Sequence, residues 1–77
     1  MIEVHYSQRI RDLREDNKKT QKDIAELLNT TQSYYAQYEN KHRPLPIEHL
    51  ITLCRYYNVS ADYILGFTNE AKPLPKK

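Results

Sequence analysis

Apolar side chains along this chain recur at intervals of three and four, and no run alternates polar with apolar for long enough to suggest a sheet. Tyr6, Ile10 and Leu13 predict a first helix from about Ser7 to Asp16, with the Ser7 hydroxyl as a candidate cap. The polar stretch Asn17-Lys18-Lys19 then interrupts the pattern. Thr20 followed three residues later by Asp23 reads as a capping box, although Asp is shorter than the usual Glu, so the cap is the firmer half of the expectation. Ile24, Leu27 and Leu28, with Ala25 beside them, give the second helix its apolar stripe. Asn29 stands where that helix must stop, and Asn tolerates the left-handed conformation better than most residues.

Thr31 caps a third helix, which places Tyr35 and Tyr38 together on its inward side. Only Asn29 and Thr30 separate the second and third helices, and so tight a joint suggests a helix-turn-helix unit. Arg43-Pro44-Leu45-Pro46 is a connector, and Pro46 is suited to opening a helix. Ile47, Leu50, Leu53 or Cys54, and Tyr57 carry the helical period onward to Asn58. Ser60 caps a short last helix, Ala61 to Leu65, which Gly66 ends. The expected fold is an all-α, compact five-helix bundle. Residues 1–68 form the domain, and 69–77, with two prolines and no packing pattern, form a flexible or loosely docked tail that reads more as an ending than as a linker.

Composition narrows the chemistry more than the fold. Seventy-seven residues suit one domain with a thin core, for which dimerisation would be a source of added stability. One cysteine, Cys54, excludes a disulfide within the chain and fits a reducing compartment; on the apolar side of the fourth helix it reads as core filler. No stretch approaches the roughly 18 apolar residues of a membrane span, so a soluble, cytoplasmic protein without membrane contact is expected. His5, His42 and His49 lack metal-site spacing, no glycine-rich phosphate loop occurs, and no nucleophile, base and orienting group assemble. Neither an enzyme nor a metal or cofactor site is expected. The net charge of +2 is small, but the cations cluster: Lys18, Lys19 and Lys22; Lys41 to Arg43; and Lys72 to Lys77. Where such charges sit matters more for a polyanionic partner than their sum.

The segments Ile10-x-x-Leu13-Arg14, Thr20-Gln21-x-x-Ile24-Ala25-x-x-Leu28, Thr31-Gln32-Ser33, Tyr38-Glu39-Asn40 and Asn58-Val59-Ser60-x-Asp62-Tyr63-x-Leu65-Gly66 follow one another in an order and spacing that resembles the phage-repressor and Cro-like helix-turn-helix family. The resemblance implies a transcriptional regulator, a repressor above all, that binds an inverted-repeat DNA operator as a homodimer. The helix at 31–40 would enter the major groove. Gln32, Ser33 and Gln37 match base-reading positions, Gln21 a phosphate anchor, and Arg14 with Glu39 a buried or half-buried ion pair. Tyr56, Tyr63 and Phe67 would lie at the dimer contact, with Tyr57 and Leu74 as further candidates. Two departures concern local geometry: Asn29 replaces the usual turn glycine, and Lys41 replaces the glycine that commonly follows Glu-Asn.

The residue chemistry agrees with that expectation. A glutamine amide offers one donor group and one acceptor, the complement of the adenine N6 and N7 edge, and the Ser33 hydroxyl rotates to either role. A helix meant only for solvent would carry Lys and Glu at such positions. Thr31 at the helix start, then Asn40, Lys41, His42 and Arg43 beyond its end, together with Lys22, suit backbone phosphates. Tyr34 has three options: packing over the turn, touching sugar-phosphate, or pressing on a thymine methyl. The rival reading is a protein-interaction module of the same fold, such as an antitoxin with a toxin partner. In such an antitoxin the same domain would bind DNA while helices elsewhere sequester the toxin; a pure partner-binding version would not need Gln32, Ser33 and Gln37 facing outward together.

Overall fold

The computed structural model describes residues 4–71. It contains five helices in chain order: α1 Tyr6–Asp16, α2 Gln21–Leu27, α3 Gln32–Glu39, α4 Ile47–Tyr57 and α5 Ala61–Leu65. No strand occurs among the described residues. Helices α2 and α3 pack on each other, α1 lies against α3 and α5, and α4 lies against α5. One core joins all five: Ile10 and Leu13 from α1, Ile24, Ala25 and Leu28 from the α2 region, Tyr35 and Tyr38 from α3, Leu53 and Cys54 from α4, then Val59 and Ile64.

Helix ends are set by local chemistry. Thr20, Thr31 and Ser60 each accept, on the side-chain oxygen, the backbone N–H three residues on. At Thr20 the box is complete, because Asp23 returns the bond to the Thr20 N–H at 2.9 Å. At the start of α1 the expected cap is corrected. His5 is the cap residue and its Nδ1 accepts the Ser7 N–H, while Ser7 itself lies inside the helix and is 2% exposed. The hydroxyl of Ser7 sits 2.8 Å from the same ring nitrogen, so a residue chosen from its capping propensity is spent on tying the cap residue to the core side of the helix.

All five helices close through a left-handed residue: Lys18, Asn29, Lys41, Asn58 and Gly66. In each case the following N–H reaches back across the last turn, as Lys19 does to the Arg14 carbonyl, Thr30 to Ala25 and His42 to Gln37. Four of the five are not glycine. Gly66 is different in kind, since a Cβ there would lie 2.2 Å from the Val4 carbonyl oxygen.

The core departs from the predicted stripes in two places. On α2, Ala25 is 1% exposed and Leu27 38%, because the inward face runs through positions 24, 25 and 28. On α4, Leu53 and Cys54 are buried while Ile47 is 66% exposed at the first turn, so the helical period extends further than the packing does. The hydroxyl of Tyr6 accepts the Leu45 N–H at 3.1 Å and fixes the connector to α1. Arg9 donates to the Thr68 carbonyl and to the Asn69 side chain, so the end of the domain and the first residue of the expected tail are tied to α1. Residues 72–77, including Leu74 and the basic end, lie outside the described residues.

Candidate nucleic-acid interface

The α2–turn–α3 unit is built by the closures just described. Asn29 takes a left-handed φ of 57°, Thr30 N–H returns to the Ala25 carbonyl, and Thr31 then starts α3. Asn29 thus takes the left-handed conformation at the turn, a region that its short polar side chain visits at lower cost than most. On α3 the split between faces is sharp. Tyr35 and Tyr38 are 0% and 1% exposed, whereas Gln32, Ser33 and Tyr34 are exposed and Ala36 and Gln37 partly so. The two buried tyrosines meet edge to face at 6.1 Å, and Tyr34 packs edge-on against Tyr38 at 5.8 Å.

An ion pair braces this helix from behind. Arg14 Nε and Nη2 donate to the two oxygens of Glu39 at 2.8 and 3.1 Å, and Arg14 Nη1 donates to the Lys19 carbonyl at 3.0 Å. The Glu39 side chain is 2% exposed and that of Arg14 12%, so α1, the α1–α2 turn and the end of α3 converge on a nearly dry bidentate contact. Burial opposes ionisation of Glu39, but bonds from Arg14, the neighbouring Tyr35 hydroxyl and Gln21 outweigh it and hold the carboxyl below its usual range. The Tyr35 hydroxyl is buried beside this carboxylate, and burial together with the nearby charge raises its pKa. Gln21 donates its side-chain amide to Glu39 Oε1 at 3.1 Å. Its side chain therefore serves the brace.

Beyond α3, Asn40, Lys41, His42 and Arg43 are all exposed, as are Lys22 and Thr31 on the approach to the motif. Lys41 adopts the left-handed conformation that the absent glycine would have taken, with φ of 65°. That turn folds the chain back over the end of α3 and places Arg43 beside Gln37. Arg43 Nε donates to Gln37 Oε1 at 2.7 Å, and its guanidinium lies 4.7 Å from the centre of the Tyr34 ring. Tyr34 packs on two sides, against Tyr38 and Arg43, with 40% of the residue still exposed.

The expected dimer residues are distributed unequally. Phe67 is 74% exposed and Tyr56 43%, the latter edge-on to Tyr57 at 5.0 Å. Tyr63 is half-buried, with the Arg9 guanidinium 4.3 Å from its ring centre, so one of its faces is already occupied. Sequence reasoning missed Arg9, which is 8% exposed. Its spacing of three from Tyr6, on the side that turns inward, was the available signal. Among the described residues no group of His, Cys, Asp or Glu is arranged to hold a metal, and no helix is long and apolar enough to cross a membrane.

Residues 10–64 match a family model described as helix-turn-helix. The chain belongs to the helix-turn-helix family. Two relatives come from Bacillus subtilis (strain 168). The uncharacterized HTH-type transcriptional regulator YobD is 41% identical over 68 residues, 88% of this chain and 61% of the relative. The HTH-type transcriptional regulator ImmR is 38% identical over 58 residues, 75% of this chain and 46% of the relative. The chain thus matches about half to three fifths of the length of these helix-turn-helix regulators. Among solved structures, the P22 c2 repressor protein in complex with synthetic operator 9T in the presence of Tl+ superposes with a TM-score of 0.73 at 24% identity, over 82% of this chain and 96% of that one. The family fold is therefore that of a phage repressor, with the two-helix motif at α2 and α3.

Proposed function

We propose that this domain binds double-stranded DNA sequence-specifically and serves a transcriptional regulator, a repressor, by laying α3 in the major groove of an operator. The observation that carries the reading is the polar, outward front of α3 (Gln32, Ser33, Tyr34 and the partly exposed Gln37) seated on Tyr35 and Tyr38, which are 0% and 1% exposed. A helix so held from behind keeps its reading groups in one register, which hydrogen-bonded readout of base edges requires. In this reading Gln32, Ser33, Gln37 and Tyr34 meet bases. The Gln21 amide, Lys22, Thr31, Asn40, Lys41, His42 and Arg43 meet phosphates on either side. The relatives' description as transcriptional regulators and the operator held by the P22 c2 repressor favour the same reading.

One eight-residue helix covers only part of an operator. A second copy reading an inverted repeat supplies the rest, with half-sites about 34 Å apart. Tyr56 and Phe67, exposed near the end of α4 and just past α5, suit that contact, with Tyr63 at its edge.

Selection of bound sequences from a random duplex library tests the function. The wild-type chain is expected to recover an inverted repeat. The Gln32→Ala/Gln37→Ala variant should lose about 10-fold or more of its preference for that site while keeping salt-sensitive binding to any duplex. An unchanged site preference in the variant would show that these amides are not the readers.

A further inference from the structure

The contact between Arg43 and Gln37 bears on which base the proposed interface accepts, and it rests on the DNA-binding reading given above. A free glutamine side chain presents a donor and an acceptor side by side and so suits adenine, whose N6 donates and N7 accepts. Gln37 does not present that pair. Its Oε1 accepts from Arg43 Nε at 2.7 Å, and two further contacts support that pair, one on the guanidinium and one on the backbone that carries it. The Tyr34 ring lies 4.7 Å from its carbon, and the backbone N–H groups of His42 and Arg43 both bond to the Gln37 carbonyl, at 2.9 and 3.2 Å. Tyr34 and Gln37 are three residues apart on one face of α3, and the left-handed Lys41 turn returns Arg43 to that face.

We propose that Arg43 is a specificity-determining positioning residue, which fixes the Gln37 amide so that it offers N–H donors to the groove and thereby selects a base with acceptors on its major-groove edge. A carbonyl oxygen has a second lone pair, but a cation bonded to the first makes the second a poor seat for another N–H, because the guanidinium repels the incoming donor. The same bond polarises the amide and strengthens its donors. Guanine, with O6 and N7 both acceptors, is then the favoured base opposite Gln37. Thymine follows through O4. Adenine is disfavoured by its N6–H group, and cytosine offers only a donor. Arg43 thus acts on sequence choice through Gln37, in addition to the charge that it brings to the phosphates.

The test is the same library selection applied to five chains: wild type, Gln32→Ala, Gln37→Ala, Arg43→Ala and Arg43→Lys. Gln37→Ala identifies the position concerned as the one whose preference it flattens. At that position the wild type is expected to favour guanine or thymine over adenine. Arg43→Ala should shift the guanine-to-adenine ratio by about 10-fold towards adenine, the size of one well-made base contact. Arg43→Lys keeps the charge but lacks the planar fork that bonds the amide and stacks on the ring at once, so it should shift the ratio in the same direction while retaining more of the overall affinity. A wild-type preference for adenine there overturns the proposal. So does a uniform loss of affinity in Arg43→Ala with the base ratio intact, which would leave Arg43 as a phosphate contact only. If the wild type recovers no sequence at all, the DNA-binding reading fails and takes this proposal with it; if Gln32→Ala alters site choice but no position responds to Gln37→Ala, only this proposal fails.

Discussion

Glu39 joins three elements through one carboxylate, and its removal should be felt accordingly. Its side chain is 2% exposed and takes both arms of Arg14 as well as the Gln21 amide. Glu39→Gln keeps the shape but leaves the Arg14 cation, 12% exposed, without its counter-charge; a cost of about 3 kcal/mol in urea unfolding is expected. Replacing both partners, as Arg14→Met with Glu39→Leu, should recover most of that cost, since desolvating two charges consumes much of what their attraction returns. The sign of the pH effect follows from the lowered carboxyl. A group whose folded pKa lies below its ordinary 4.5 contributes fully above 4.5, and the contribution is lost as pH falls through the folded value. The gap in stability between wild type and Glu39→Gln should therefore narrow as the solution is acidified below about pH 4.5. A gap that stays constant down to pH 3 would mean that the carboxylate's charge contributes nothing. The pairing of Arg14 with Glu39 was legible through resemblance, because both residues stood in matching motifs. The participation of Gln21 was not, since a side chain at a helix start looks equally suited to a phosphate and to an internal acceptor.

At the scale of the helices, what could be read from sequence was what is decided within four residues. Thr20, Thr31 and Ser60 cap because their oxygens reach an N–H three positions on, and Asn29 and Asn58 stop helices because Asn visits the left-handed region. Where a local preference competes with burial, burial wins: Ser7 is drawn into the first turn of α1, and Ala25 rather than Leu27 is buried in the core. The Arg43–Gln37 contact was illegible because it depends on Lys41 turning left-handed, a conformation that lysine's own preferences argue against. That strain gives a prediction in which stability and binding diverge. Lys41→Gly relieves a φ of 65° and should stabilise the fold by about 0.5–1 kcal/mol, net of the extra freedom glycine has when unfolded. The same change removes a cation next to α3. It should weaken duplex binding across all sequences and lower the slope of log affinity against log salt by about 1. A stabilised variant with an unaltered salt slope would remove Lys41 from the phosphate contacts while leaving the account of the turn intact.

For the whole molecule, the quantity that decides the proposed function is the number of copies of α3 offered to a duplex at once. The domain spreads its cations around one end of the two-helix motif, with Lys18, Lys19 and Lys22 before and into α2 and Lys41 to Arg43 after α3, so a net charge of only +2 understates the field near α3. Even so, one such face offers few contacts, and pairing two of them multiplies affinity because the second half-site is met at high effective concentration. Phe67 is the residue on which to test this. It is 74% exposed just past the end of α5, where no packing among the described residues explains a phenylalanine, and its N–H rather than its ring closes the helix on Asp62. Phe67→Ser should leave thermal unfolding of the dilute chain within about 0.5 kcal/mol of wild type, as expected for a surface change. Binding to a duplex carrying one half-site should also be unchanged. Binding to the full inverted repeat should fall by about 10-fold or more, to the level of two independent half-sites. Equal loss on the half-site and on the repeat would place Phe67 within the single domain's own contacts, and no loss on either would move the two-fold contact away from the α5 end of the molecule.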